Sequence, residues 1–410
     1  MNTNPKQKLK ELYQALRDKP LDPADPHDAR WYEPYVSRLE TDPIAHVAGE
    51  ISFNDAESLY FVTGQRGTGK STELLRLRKM LLDDGFVVFY IDMLEYLHMS
   101  EPVEISDFLM AVSIGLAKQA NDEHGLGITE ESLWGRLQAF VGSLELEKVN
   151  IKATANMAPL EFGVDLTARL RSDHVFKKEL QRATRGHTTR LVDDVRGFAV
   201  ELVSALRKKY NNKHQQVALI VDSFEQIRGH YENVSEVYAS IIKLFGSDGK
   251  HLRLPMMHTV ITVPPYLTHA APGVTKSIGN IPVSLPNVHI RQRGSGEPDP
   301  DGLDTLKQMI YRRTEAARDI FDDEALGMLP INDEAVRWLY KVHQTTQPEL
   351  SNKDQLPELA ALFDNNLIIN YRNGEDWYGI HPLVVDYVTE RQQELDKRAR
   401  KQLHEQATDH

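Results

Sequence analysis

The sequence predicts an α/β fold: a parallel sheet with helices on both faces, in three αβα layers, followed by a helical lid and a winged helix. Three observations carry this. Short apolar, often β-branched runs alternate with segments of helical periodicity, as when crossover helices connect parallel strands. One run, Leu59–Thr63, leads into a glycine-rich loop, Gly64–Ser71, and then a helical pattern over Ser71–Leu82. Another, Val217–Val221, is apolar throughout, as a strand buried on both faces must be, and ends on an acid, Asp222.

Residues 1–45 read as an N-terminal helical segment. It holds a helix over Lys6–Asp18, a Pro/Asp-rich linker over Pro20–His27 and a second helical piece around Trp31–Leu39. Trp31, Tyr32 and Tyr35 either anchor this segment or offer rings for stacking, and anchoring is the favoured reading. Residues 46–300 form the sheet-bearing core. Strands are expected at Leu59–Thr63, at Phe86–Ile91 ending on Asp92, at Val217–Val221 and at Met257–Val263. A fifth falls at Ile281–Leu285 or Val288–Ile290, and helices at Asp107–Gln119, Leu191–Tyr210 and Val234–Phe245.

About 120 residues separate the second strand from the third. A crossover needs only about a dozen, so an insertion is expected, at about 121–190. Weak alternation over 146–166 (Val149, Ile151, Ala153, Phe162, Val164) suggests a β-hairpin or irregular excursion there. Arg171, Lys177, Lys178, Arg182, Arg185, His187 and Arg190 make a basic stretch. It reads as a surface for a partner or nucleic acid, as a source of an arginine acting in trans, or as a solvated helix face, the last being favoured.

Pro298–Gly302 is a turn-rich break. A lid helix, Leu303–Arg318, follows within 301–330, then helices at Asp333–Val342 and Gln355–Phe363. Leu367–Tyr371 and Trp377–Ile380 flank Asn373-Gly374, a strong hairpin signal. Helices followed by one hairpin give 331–410 a winged-helix pattern, closed by a charged helix at Asp386–Gln406.

Composition narrows the function classes. The 410-residue chain is 41% apolar and 26% charged, ordinary for a globular protein. Its net charge of −12 argues against a globally basic nucleic-acid binder. The absence of cysteine excludes disulfides and thiolate chemistry. No stretch approaches the ~18 apolar residues that span a bilayer, and Met1–Lys6 lacks the apolar core of a secretion signal. A cytoplasmic protein without a membrane partner is expected.

The loop Gly64-Gln65-Arg66-Gly67-Thr68-Gly69-Lys70-Ser71 matches G-x-x-x-x-G-K-S/T between a strand and a helix. Glycines let successive N–H groups turn inward around phosphate oxygens, and the helix N-terminus adds partial positive charge. Lys70 would reach the β- and γ-phosphates of ATP, and Ser71 would bind Mg²⁺; Thr72 completes the phosphate-binding set. Asp222, at a strand's C-terminal end, would hold Mg²⁺ through water. Glu225, three residues on, would orient or deprotonate the attacking water. Thr262, ending the fourth strand, is placed to sense the γ-phosphate.

On these residues the chain resembles a STAND-type P-loop ATPase, a relative of the AAA+ and origin-recognition ATPases. Gly64–Ser71 resembles the motif shared by all P-loop NTPases. Leu219-Ile220-Val221-Asp222-Ser223-Phe224-Glu225-Gln226 is similar to the hydrophobic-Asp-x-x-acid motif of the NACHT branch, which implies a water-activating role for Glu225. Ile380-His381-Pro382-Leu383 resembles the winged-helix segment whose histidine meets the β-phosphate of ADP, implying that role for His381. The chain departs from AAA+ proteins in having Ser223 directly after Asp222, and from many NACHT proteins in lacking an arginine near Thr262-Val263-Pro264-Pro265.

The resemblance implies an Mg²⁺-dependent ATP-hydrolysing switch, with ATP and ADP as its nucleotides. It would be the ATPase subunit of a bacterial defence or signalling system, working with a separate effector or sensor subunit or by self-association. Arg312 and Arg313, or Arg291 and Arg293, would reach phosphate. Two alternatives stand beside it. One is an origin-recognition-like ATPase touching DNA through Arg372 and the Lys397-Arg398-Arg400-Lys401 cluster. The other is a nucleotide-locked scaffold with negligible turnover.

Overall fold

Strands form at the apolar runs: β1 Ser58–Thr63, β2 Val87–Asp92, β3 Val217–Asp222, β4 His258–Thr262 and β5 Val283–Ser284. They pair in parallel throughout, in the order β2-β3-β4-β1-β5. The computed structural model describes residues 11, 14–15, 19–36, 41–55, 57–65, 67–142, 144, 159–229, 233–267, 281–289, 299–315, 368–373 and 375–380. The chain divides into two units, Met1–Leu326 and Gly327–His410.

Successive strand residues point to opposite faces of the sheet, and each face has its own helix layer. Tyr60, Val62, Val88, Ala218, Ile220 and Val260 pack with α2 (Pro43–Ser52) and α3 (Lys70–Asp83). Leu59, Phe61, Phe89, Ile91, Leu219, Val221 and Ile261 pack with a thicker layer. That layer contains α4 (Ile105–Asp122), α5 (Gly127–Gly142), α6 (Pro159–Ser172), α7 (His174–Thr184), α8 (Thr188–Lys209) and α9 (Val234–Phe245). The run Val217–Val221 is fully buried, and a large apolar side chain moved out of water stabilises by roughly 1.5–3 kcal/mol. This explains why that strand carries no polar alternation.

Two expectations fail for identifiable reasons. The stretch 159–166, expected to be extended, lies in helix α6, while 145–158 lies outside the described residues. Val164 is exposed, whereas Leu166 and Leu170, four apart, are buried. The helical period therefore decides the segment. Gly163 lets α6 approach α5, because a Cβ there would collide with the Trp134 ring.

The helical piece expected at Trp31–Leu39 is also absent over 31–35; a single turn, α1 (Pro26–Ala29), capped by Asp25, stands earlier. Helix α2 was not anticipated, although its signal is complete. Asp42 caps it through the N–H groups of Ile44 and Ala45, Pro43 opens it, and Ile44, Val47, Ala48 and Ile51 line one buried face.

The last described helix of the first unit, α10 (Pro300–Thr314), is capped by Asp299. In the second unit, β6 (Ile368–Asn373) and β7 (Glu375–Ile380) form the expected antiparallel hairpin, with Asn373 opposite Glu375. The helices expected beside it lie outside the described residues. Among the described residues, no helix is long and apolar enough to cross a membrane.

Candidate functional site

The order β3-β4-β1 brings the C-terminal ends of these three strands out side by side. Asp222 ends β3, Thr262 ends β4, and β1 releases the glycine loop. Gly67 (φ 86°) and Gly69 (φ 72°) take left-handed conformations that a side chain would oppose. Gly69 then starts α3, with no side chain covering the helix's first N–H groups. Those groups and the helix dipole suit an anion.

Lys70 is the first residue of α3, and its side chain curls back into the loop. Its Nζ donates to the carbonyls of Gly64 (3.1 Å) and Gln65 (2.9 Å) and lies 3.2 Å from Glu225 Oε1. Thr68 Oγ1 donates to Gln65 O at 2.9 Å, tightening the same turn. Glu225 Oε2 is buried and has no hydrogen-bond partner among the described residues. A buried acceptor left over in this way costs about 1–3 kcal/mol.

Asp222 is almost fully buried and lies beside the Ser71 side chain. Its Oδ2 accepts from the Tyr90 hydroxyl at 2.5 Å and its Oδ1 from the Ser223 N–H at 2.6 Å. Burial pushes its pKa up; the Tyr90 bond and the Ser71 hydroxyl pull it down, and the Glu225 charge pushes it up again. Ser223 has φ 65°, a strained value for a residue with a side chain. That kink opens the short turn Phe224–Gln226, which carries Glu225. The turn is tied down by the Phe224 N–H, which donates to Thr262 Oγ1 at 3.0 Å.

Thus Lys70 meets Glu225 directly, Asp222 lies beside Ser71, and Thr262 holds the turn that carries Glu225. Thr72 faces the N-terminal segment, its Oγ1 accepting from the Leu21 N–H at 3.1 Å. Ser71 and Asp222 are hard oxygen donors close together at the helix start. This set fits Mg²⁺, which takes one or two protein oxygens and fills its shell with water and phosphate. Among the described residues no cluster of three or more His, Cys, Asp or Glu could hold a metal by itself.

Arg312 and Arg313 bind the N-terminal segment: Arg312 Nε donates to Glu33 Oε2 (2.6 Å), and Arg313 Nη1 to Ala15 O (3.3 Å). Arg66, Arg291, Arg293 and His381 lie outside the described residues, as does the Lys397–Lys401 cluster. Trp31 is buried with Ala15 and Leu21, in an anchoring role. Tyr32 donates to Glu73 Oε1 at 2.8 Å. Tyr35 donates to the Thr68 carbonyl of the loop at 2.6 Å. Burial pushes the Tyr35 phenol up to about 12, so it remains a donor.

In the basic stretch, Arg182 pairs with Glu179, Arg185 with Glu104 and Arg190 with Asp194. Lys177 is buried near Asp107. These charges are largely matched within the fold.

Sequence reasoning missed Tyr90 as a neighbour of the site, and named Tyr35 only as an anchor or a stacking ring, not as a donor to the loop backbone. An aromatic residue on a strand or beside a helix reads as core, and neither carries a local mark. Searches against protein-family models and against curated proteins give no match.

Proposed function

We propose that this chain is an Mg²⁺-dependent ATPase acting as a nucleotide switch. The observation that carries the reading is the meeting of Lys70 and Glu225 at 3.2 Å at a glycine loop, with Ser71 and Asp222 close together beside it. Loop N–H groups and the α3 N-terminus would bind the phosphates. Lys70 would turn from the loop carbonyls toward the β- and γ-oxygens. A γ-phosphate competes with Glu225 for that ammonium, so binding frees the carboxylate to accept a proton from the attacking water. Ser71 and Asp222 would hold Mg²⁺, which neutralises developing charge when bound. Thr262 fixes the turn that carries Glu225.

On this reading the chain serves as the ATPase component of a bacterial signalling or defence assembly, with a separate sensor or effector. Nucleotide content and ATPase rate of the purified chain, with and without duplex DNA, test it. Bound ADP with slow, DNA-independent turnover is the expected outcome. Strong DNA stimulation would favour an origin-recognition type of activity, and failure to bind any nucleotide would overturn the reading.

A further inference from the structure

Tyr90 lies on β2, at one edge of the sheet, and is fixed from two directions. Its N–H donates to Gln119 Oε1 at 3.0 Å, and its carbonyl accepts from Gln119 Nε2 at 2.5 Å. Gln119, on α4, thereby supplies the two bonds that a further strand would make. The ring packs into the α2/α3 layer. The hydroxyl reaches across to the neighbouring strand and donates to Asp222 Oδ2 at 2.5 Å. Asp222 in turn lies beside the Ser71 side chain. A continuous chain of side chains therefore runs from Gln119 through Tyr90 and Asp222 to the first turn of α3.

We propose that Tyr90 is a positioning residue for the divalent cation, acting through Asp222. A buried carboxylate can rotate about its last torsion, and a cation site needs it held in one orientation. The Ser223 N–H secures one oxygen of Asp222; the Tyr90 hydroxyl secures the other. With both fixed, the carboxylate stays against Ser71. A hydroxyl donor serves better here than a cation would, because it orients the carboxylate without cancelling the charge that attracts the metal. Such outer partners of a metal's ligands set affinity by about 10–100-fold. The inference rests on the nucleotide-binding reading above.

Tyr90→Phe keeps the ring and deletes only the hydroxyl. ADP binding is measured by calorimetry in EDTA, and again across a Mg²⁺ titration, on the full chain. The expected result is metal-free ADP affinity within about twofold of wild type and a half-saturating Mg²⁺ concentration raised about tenfold. Asp222→Asn should shift Mg²⁺ dependence in the same way, and Tyr90→Phe added to it should shift it no further, because the two act as one unit. Wild-type Mg²⁺ dependence in Tyr90→Phe would overturn the inference and leave the nucleotide reading intact. Equal loss of affinity with and without Mg²⁺ would also overturn it, marking Tyr90 as purely structural. Absence of nucleotide binding in the wild type would overturn both.

Discussion

Among the described residues two lysines are buried, and they have opposite surroundings. Lys70 and Lys177 are 6% and 2% exposed. The Lys70 ammonium has three acceptors, two of them backbone carbonyls of a glycine loop and one the Glu225 carboxylate. The Lys177 ammonium has no hydrogen-bond partner among the described residues, nor has Asp107 Oδ1. They attract one another, and burial drives both toward neutrality: Lys177 is pulled below the usual lysine range, and Asp107 is pushed up to about 6. Asp107 Oδ2 is used by Gln181 and by the Glu104 N–H, which lock α7 onto the start of α4. Burial of a lysine is therefore no guide to chemistry by itself. Lys70 sits where a glycine loop meets the start of a helix, whereas Lys177 sits in a seam between helices. The first should be expendable for folding and essential for binding, and the second the reverse.

The largest effect is expected from Lys70→Ala. Losing its charge-assisted bonds to phosphate, each worth about 1.5–3 kcal/mol, should weaken ATP binding by at least ~10²-fold. Calorimetry reads the affinity and circular dichroism checks the fold. Unchanged affinity in a folded variant would end the assignment.

Glu225→Gln should slow hydrolysis by about 10²-fold, the loss typical of a positioned general base. It should also tighten ATP binding several-fold, because Lys70 is no longer shared with a carboxylate. Turnover lost with no gain in affinity would mean that the contact at 3.2 Å does not compete with phosphate.

Lys177→Met should cost about 3 kcal/mol in denaturant unfolding, since it strands Asp107 as a buried charge. Nucleotide affinity should stay at the wild-type value. Converting Asp107 to Asn as well, which removes the charge and keeps an oxygen for Gln181 and the Glu104 N–H, should restore most of the loss. Greater damage in the double variant would show that the pair stabilises the seam.

The pH dependence of stability gives a finer test. Asp107 titrates near 6 when folded, against an ordinary 3.8. Between these values the folded state binds more protons than the unfolded one, so this group's contribution to stability falls as pH rises from about 4 to 6. Asp107→Asn should flatten that slope in urea melts at stepped pH. A slope unchanged by the substitution would assign the titration elsewhere.

The smallest effect belongs to Arg185→Ala. Its ion pair with Glu104 is exposed on the arginine side, so under ~1 kcal/mol and no change in turnover are expected. A large loss of ATPase activity would instead revive a functional role for the basic stretch.

Much of the site was legible because its parts are local. Glycines at fixed spacing after an apolar run, and an acid closing Val217–Val221, are read within a dozen residues of sequence. Four strands fell within one residue of their expected ends, and α9 covers the expected Val234–Phe245. The insertion was legible by length but not by content. Weak alternation over Val149, Ile151, Ala153, Phe162 and Val164 outweighed the helical pair Leu166 and Leu170. In the N-terminal segment the helical piece was placed around Trp31–Leu39, while the capping signal at Asp42-Pro43 lay just beyond.

The sequence by itself determined where a glycine loop would turn between a strand and a helix, and that the sheet beneath it would be parallel. Backbone freedom at glycine and continuous strand burial are consequences of residue type and spacing alone. Tertiary structure decided which groups meet. It set Glu225 on Lys70, Tyr90 on Asp222 across 132 residues of chain, Tyr35 on the loop backbone, and Arg312 on Glu33. Each of these contacts depends on strand order and helix packing. Those are fixed by how separate apolar faces fill a shared interior, and no local pattern along the chain encodes which partner will stand opposite.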